Sequence, residues 1–232
     1  MPIEIVNRAR WSPREWHSVS AATEQNHVWR QISEGLEVEG EDGPRRTRGE
    51  PITLRRIITD YGNEISEACG ILGVPEQLVA GMIGAESKGL PTAERREGHL
   101  NDASIGLTQT LTNTAFGLAA QAPPELAIKA ITKLKPLPRG GDLAEWQSIL
   151  RQPRYAIRLG ALYFSIANDQ HDLRFDPVLC YAAYNAGSPR VNLKNPWGVH
   201  YYRKQLPDGR WADAMDSFSR WYGDACAVYA IC

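Results

Sequence analysis

The chain has 232 residues, enough for one large domain with a small appendage and for a sizeable buried core. Its 26 basic and 27 acidic residues nearly cancel, so the totals give no basis for sequence-independent nucleic-acid binding. No stretch approaches the roughly 20 consecutive apolar residues that a membrane-spanning helix needs.

The opening segment MPIEIVNRARWSPREWHS mixes charges and has no apolar run, unlike a secretory signal peptide. Trp11, Trp16 and Trp29 fall in residues 1–32 without a clean period, and residues 33–50 are charged, glycine-rich and read as a linker. Residues 1–50 are thus expected to be an N-terminal appendage and linker, and residues 51–232 the main domain. There, Leu54, Ile57, Ile58, Tyr61, Ile65, Ala68, Cys69 and Leu72 recur at helical spacing, with a stop near Gly70 or Gly73. Pro75 suits the first turn of a second helix, whose apolar stripe is Leu78, Val79, Met82 and Ile83, ended by Gly89 and Pro91. Residues 87–104 read as a loop and 111–120 as a helix. The proline- and glycine-rich stretch 121–141 should hold only short turns. Asp142 and Glu145 form a D-x-x-E start signal ahead of Trp146, Ile149 and Leu150. Pro153 opens a helix with Ala156, Ile157, Gly160, Ala161, Phe164 and Ala167 facing inward. Asp176 and Pro177 open VLCYAAYNAG, which is apolar almost all round and therefore central and buried, with Gly187 as its stop. A last helix would place Trp211, Met215, Phe218, Trp221 and Tyr222 on one face. Nothing repeats and few strands are convincing, so the expected fold class is mainly α.

The four cysteines, Cys69, Cys180, Cys226 and Cys232, match no common zinc spacing, and no metal or organic cofactor is implied. Cys69 and Cys180 read as small buried hydrophobes. Cys180 lies mid-helix without a cationic neighbour, which argues against a cysteine nucleophile. Cys226 and Cys232 flank AVYAI, a spacing that allows a disulfide, cross-links to a partner or free thiols.

Glu86 is the first residue that points to chemistry. It lies on the apolar stripe of the second helix, seven residues after Val79 and four after Met82. Loss of hydration and the C-terminal end of the helix dipole both favour its protonated form, and hence a proton donor. Gly81, Gly84, Ala85 and Gly89 leave room for something to approach; the bland alternative is a carboxylate paired with an arginine. SIGLTQTLTNTA at 104–115 combines a glycine turn, the polar Gln109 and a helix start. YAAYNAG at 181–187 places Tyr181, Tyr184 and Asn185 in an apolar helix, where their polar groups need partners, either in the core or on a sugar.

Together these segments resemble the goose-type lysozyme and soluble lytic transglycosylase family. Glu86-Ser87, with Pro91 and Ala93 following, is similar to the family's first element. Gly106-Leu107-Thr108-Gln109 with Thr114-Ala115 is similar to the second, and Ala183-Tyr184-Asn185-Ala186-Gly187 matches the last unchanged. Gly160, Tyr163 and Phe164 resemble the helix that precedes it. The likeness covers roughly residues 54–195. Thr108 departs from the usual Met, Thr112 from a common Pro, and the loop between Glu86 and Gln109 is extended through EGHLND. The resemblance implies a lysozyme-like helical domain that cleaves the MurNAc–GlcNAc β-1,4 bonds of peptidoglycan glycan strands. It implies Glu86 as single acid and base, Tyr184 as the hydroxyl that orients it, and Ser87, Gln109, Tyr163 and Asn185 as sugar-binding groups. The product would be 1,6-anhydroMurNAc.

A water-using muramidase would need a second carboxylate, which Glu94, Glu97 or Asp102 could supply; each also reads as a solvated loop charge, and His99 as an exposed loop histidine. A catalytically inactive structural protein of a virion or secretion apparatus is disfavoured by intact Glu86, Gln109, Tyr184 and Asn185. Trp197, Tyr201 and Tyr202 are candidates to line a sugar groove or to brace the surface, whereas Trp211 and Trp221 read as core. An enzyme of this kind without a signal peptide is expected to reach the periplasm or cell wall on a bacteriophage particle, with residues 1–50 docking to a tail or baseplate.

Overall fold

The computed structural model describes residues 17–18, 28–186, 204–205, 211–212 and 214–230. Trp11, Trp16, Gly187, Trp197, Tyr201, Tyr202 and Cys232 lie outside the described residues. The chain divides into two compact units, Arg55–Ser165 and Met1–Leu54 with Ile166–Cys232, and the fold is mainly helical. No helix among the described residues is long and apolar enough to cross a membrane.

In the Arg55–Ser165 unit, α1 (Ile52–Leu72) buries Ile57, Ile65, Ala68 and Cys69, one side of its periodic stripe. It ends where Gly73 turns left-handed (φ 67°) and the Val74 amide reaches back to the Cys69 carbonyl. This backward bond past a glycine is how many helices satisfy their last carbonyls. α2 (Glu76–Ser87) is buried continuously from Leu78 to Gly84. An antiparallel sheet follows, β4 (Glu94–Glu97), β5 (Asp102–Ile105) and β6 (Thr110–Leu111), with Glu94 opposite Ile105 and Ser104 opposite Leu111. The expected loop over 87–104 thus contains two strands. Glu-Arg-Arg-Glu has neither β-branched residues nor apolar alternation, so its sequence carries no strand signal. α3 (Thr112–Ala119), a single 3-10 turn (Pro124–Leu126), α4 (Lys129–Thr132), α5 (Leu143–Leu150) and α6 (Pro153–His171) complete the elements. Asp142 caps α5 by accepting from the Ala144 amide at 2.8 Å, as its D-x-x-E signal requires.

The other unit contains β1 (His17–Ser18), β2 (Val28–Ile32), β3 (Gly35–Val38), α7 (Pro177–Ala186), the short pair β7 (Lys204–Gln205) and β8 (Trp211–Ala212), and α8 (Ala214–Tyr229). The segment 33–50 is not a free linker. β2 and β3 form a hairpin with Trp29, Leu36 and Val38 buried. Gly35 approaches α8 so closely that a Cβ there would stand 2.9 Å from the Gly223 Cα. Beyond the hairpin, the buried Arg45 donates to Ser219 at 3.1 Å and to Asp216 at 3.3 Å, and Thr47 bonds Asp224 through both amide and hydroxyl. Arg45 and Thr47 of the expected linker are therefore partners for α8. Trp211 also differs from expectation: it lies in β8, because its spacing extends the helical stripe past the start of α8. Met215, Phe218 and Tyr222 are the buried face of that helix, and Trp221 is half-buried.

Candidate active site

Glu86 is the penultimate residue of α2 and is half-buried. The helix end that carries it is fixed from several sides. Lys88 adopts a left-handed conformation (φ 54°) and its amide bonds the Gly84 carbonyl. The Arg56 guanidinium donates to the Lys88 carbonyl at 2.7 Å. Gly89 is left-handed as well, and a Cβ there would lie 2.7 Å from Ile57. Ser87, expected to hold sugar, is buried. Its hydroxyl donates to the Ile83 carbonyl at 3.1 Å and accepts from the Gly89 amide at 3.2 Å. In the structure it is a local clasp that ends α2 directly after Glu86.

The Gly106–Gln109 turn is built around the Ala93 carbonyl. That oxygen accepts the Gly106 amide at 2.9 Å and the Gln109 Nε2 at 3.1 Å; Nε2 also donates to the Gly106 carbonyl at 3.0 Å. Gln109 takes a left-handed backbone (φ 49°) and is half-buried. Its side-chain nitrogen thus ties the turn to the segment leaving α2. Gly106 permits the packing behind the turn, since a Cβ there would fall 2.2 Å from the Leu150 carbonyl oxygen. Gly160 on α6 faces Met82 and Thr108, at 2.6 and 2.8 Å from where its Cβ would be. Thr108, which departs from the family's Met, is fully buried with its hydroxyl bonded to the Ala156 carbonyl and to Thr110. The threonine methyl thus meets the glycine of α6 while its hydroxyl keeps a partner. Tyr163, half-buried on α6, belongs to the same unit as Glu86, Ser87 and Gln109.

The three carboxylates that a hydrolase could recruit all have structural partners. Glu94 bonds Arg151 at 2.9 Å and Gln147 at 2.6 Å. Glu97 is buried, with Arg95 at 2.5 Å and Ser104 at 3.4 Å. Asp102 is buried too. It accepts the amides of Ala103, Thr112 and Asn113 and the Thr112 hydroxyl, and so satisfies the start of α3 from a distant strand. A cap supplied ten residues upstream leaves no sequence signature. His99 is exposed on the β4–β5 turn, as expected.

Tyr184 and Asn185 belong to the other unit, at the C-terminal turn of α7. Tyr184 is half-buried and Asn185 exposed. Tyr181, one turn earlier, is buried and stacks on Phe218 of α8, with centroids 4.0 Å apart. Asp176 starts the helix from full burial. Its Oδ1 accepts the Leu179 amide at 2.9 Å and its Oδ2 the Trp29 indole N–H at 3.1 Å. Burial pushes its carboxyl up to about 6, while these bonds hold it down. Sequence reading found Asp176 as a helix start and missed Trp29 as its partner, 147 positions away. Burial pushes the Cys180 thiol far above its usual range, which removes it as a nucleophile.

A helical core, a half-buried glutamate closing a buried helix, and a glycine-built turn tied to the segment after it are features that a lysozyme-like domain would have. The family model for the transglycosylase SLT domain matches residues 64–196, more than half of the chain, and the chain belongs to that family: it is a lytic transglycosylase acting on peptidoglycan. No curated protein is significantly similar to the chain. The match spans Glu86, Ser87, Gln109, Tyr163, Tyr184 and Asn185, but neither the β2–β3 hairpin nor α8.

Proposed function

We propose that Glu86 is the single acid and base of a reaction that cleaves the MurNAc–GlcNAc β-1,4 bond. It donates its proton to the glycosidic oxygen as the C1–O bond breaks. The N-acetyl group of the substrate takes the place of a second carboxylate. Glu86 then removes the proton of the muramic 6-hydroxyl as that oxygen bonds to C1, giving 1,6-anhydroMurNAc without water. Tyr184 serves as the orienting hydroxyl, and Tyr163 and Asn185 as sugar contacts. Ser87 and Gln109 act on the sugar indirectly, through the helix end and turn that they hold. The observation carrying this reading is that the family match spans Glu86 at the end of the buried helix α2. The test is mass spectrometry of muropeptides released from purified peptidoglycan by the wild type and by Glu86→Gln. Anhydro-muropeptides that vanish in the folded variant are expected. Products heavier by one water would replace this reading with a muramidase, and undiminished activity in Glu86→Gln would remove Glu86 from the mechanism.

We also propose that the enzyme opens the wall locally for a phage particle. Residues 28–50 are taken up by packing within their own unit and His17–Ser18 pair with β2, so the docking segment is the part before His17, with Trp11 and Trp16.

A further inference from the structure

β2, β3 and α8 lie outside the family match, yet they hold the helix that carries the family's last motif. From β2, the buried Trp29 gives its indole N–H to Asp176, the residue that caps α7. From the same strand, Gln31 donates to the Tyr222 hydroxyl of α8 at 2.7 Å. α8 in turn stacks Phe218 on Tyr181 of α7, and Tyr181 stacks at 6.3 Å on Tyr184. A neutral Ser or Asn would cap a helix without burying a charge. The second carboxylate oxygen of Asp176 therefore needs a reason beyond capping, and its side-chain partner is the indole of the hairpin.

We propose that Trp29 is a positioning residue of the transglycosylase: its bond to Asp176 sets the direction of α7 and so the placement of Tyr184 and Asn185. This rests on the reading that those two residues take part in the reaction. α7 has ten residues. At a rise of about 1.5 Å per residue, a tilt of about 10° at its start moves its far end by about 2–3 Å. Displacements of about 1 Å can cost a reaction about a hundredfold in rate. Among the described residues, the Trp29 indole of β2 bonds Asp176, and the charge of Asp176 acts on the Cys180 thiol of α7 and the Tyr222 phenol of α8. Burial holds the thiol and the phenol neutral, so among these groups the carboxyl is the one that titrates near pH 6. Protonation of Asp176 weakens the indole bond, and loss of the indole makes the carboxyl harder to ionise.

The test is steady-state turnover of purified peptidoglycan across pH by the full chain, with Trp29→Phe, Asp176→Asn, Tyr184→Phe and Asn185→Ala. Trp29→Phe is expected to lower kcat roughly tenfold, the scale of one hydrogen bond to a charged group, with KM little changed. Its acid limb should move to higher pH, and Asp176→Asn should lose that limb. A folded Trp29→Phe with wild-type kcat and pH profile would overturn the proposal. If that variant does not fold, amide exchange on the wild type decides. Protection of the Leu179 amide should drop as pH falls through about 6, and pH-independent protection would overturn the proposal. If Tyr184→Phe and Asn185→Ala both keep full kcat, the reading of α7 falls and the proposal with it. If they lose activity while Trp29→Phe keeps it, the positioning proposal alone falls.

Discussion

Asp102 shows how a residue can look catalytic in sequence and prove structural in three dimensions. A carboxylate seven residues before Gln109, in a charged loop, is a reasonable second acid for glycan hydrolysis. In the fold its oxygens hold the first amides of α3. Asp102→Ala is expected to destabilise the protein by about 2 kcal/mol, from a lost cap and stranded buried donors. Asp102→Asn, which keeps an acceptor, should still turn over peptidoglycan. Urea unfolding with a turnover assay on the same samples checks both; a folded Asp102→Asn without activity would restore the carboxylate as a catalytic group. Glu86, Gln109 and Tyr184 stand out in the sequence because each lies in a short run that resembles a family motif. The internal tasks of Ser87 and Gln109 do not, since their partners are backbone carbonyls and amides that no side-chain pattern encodes.

At the scale of elements, helices could be read and strands could not. α1, α5 and α6 announce themselves by period and by Asp142 or Pro153 at their starts. β4 has charged residues throughout, and β2 lay in a segment that looked aperiodic. α7 was legible as buried, but not the buried acid at its head. That acid gives the helix a pH dependence of definite sign. Burial raises the Asp176 carboxyl to about 6, whereas an unfolded aspartate ionises near about 4. The folded chain therefore binds this proton more tightly, so the associated stability is complete below about pH 4 and is lost as pH rises through about 6. The difference is on the order of 2–3 kcal/mol. Unfolding midpoints measured across this window should fall for the wild type relative to Asp176→Asn, and parallel curves would rule the linkage out. Stability and the proposed positioning thus favour opposite protonation states, a conflict expected where a buried charge serves function.

For the whole molecule, the family match describes the middle of the chain and the flanks complete it. A variant starting at Val28 keeps the hairpin and is expected to fold and to cleave peptidoglycan; on the proposed phage role, it should not associate with phage tail material. One starting at Pro51 loses the buried Trp29, Leu36 and Val38, at about 1.5–3 kcal/mol each, out of a typical total of about 5–15 kcal/mol. It should fail to fold cooperatively. Cosedimentation and circular dichroism separate the cases; if the Val28 variant still cosediments with tail material, the docking role of the preceding residues is gone.

The pairing of β3 with α8 has a temporal consequence. A ribosome makes the hairpin well before α8, so Gly35 and the buried face of the hairpin lack the cover of that helix until it is made. Contacts of such sequence separation close slowly and leave apolar surface open to aggregation meanwhile. On the positioning proposal, they also delay the final setting of α7 until α8 has been made, so a nascent wall-cutting enzyme stays unarmed until then.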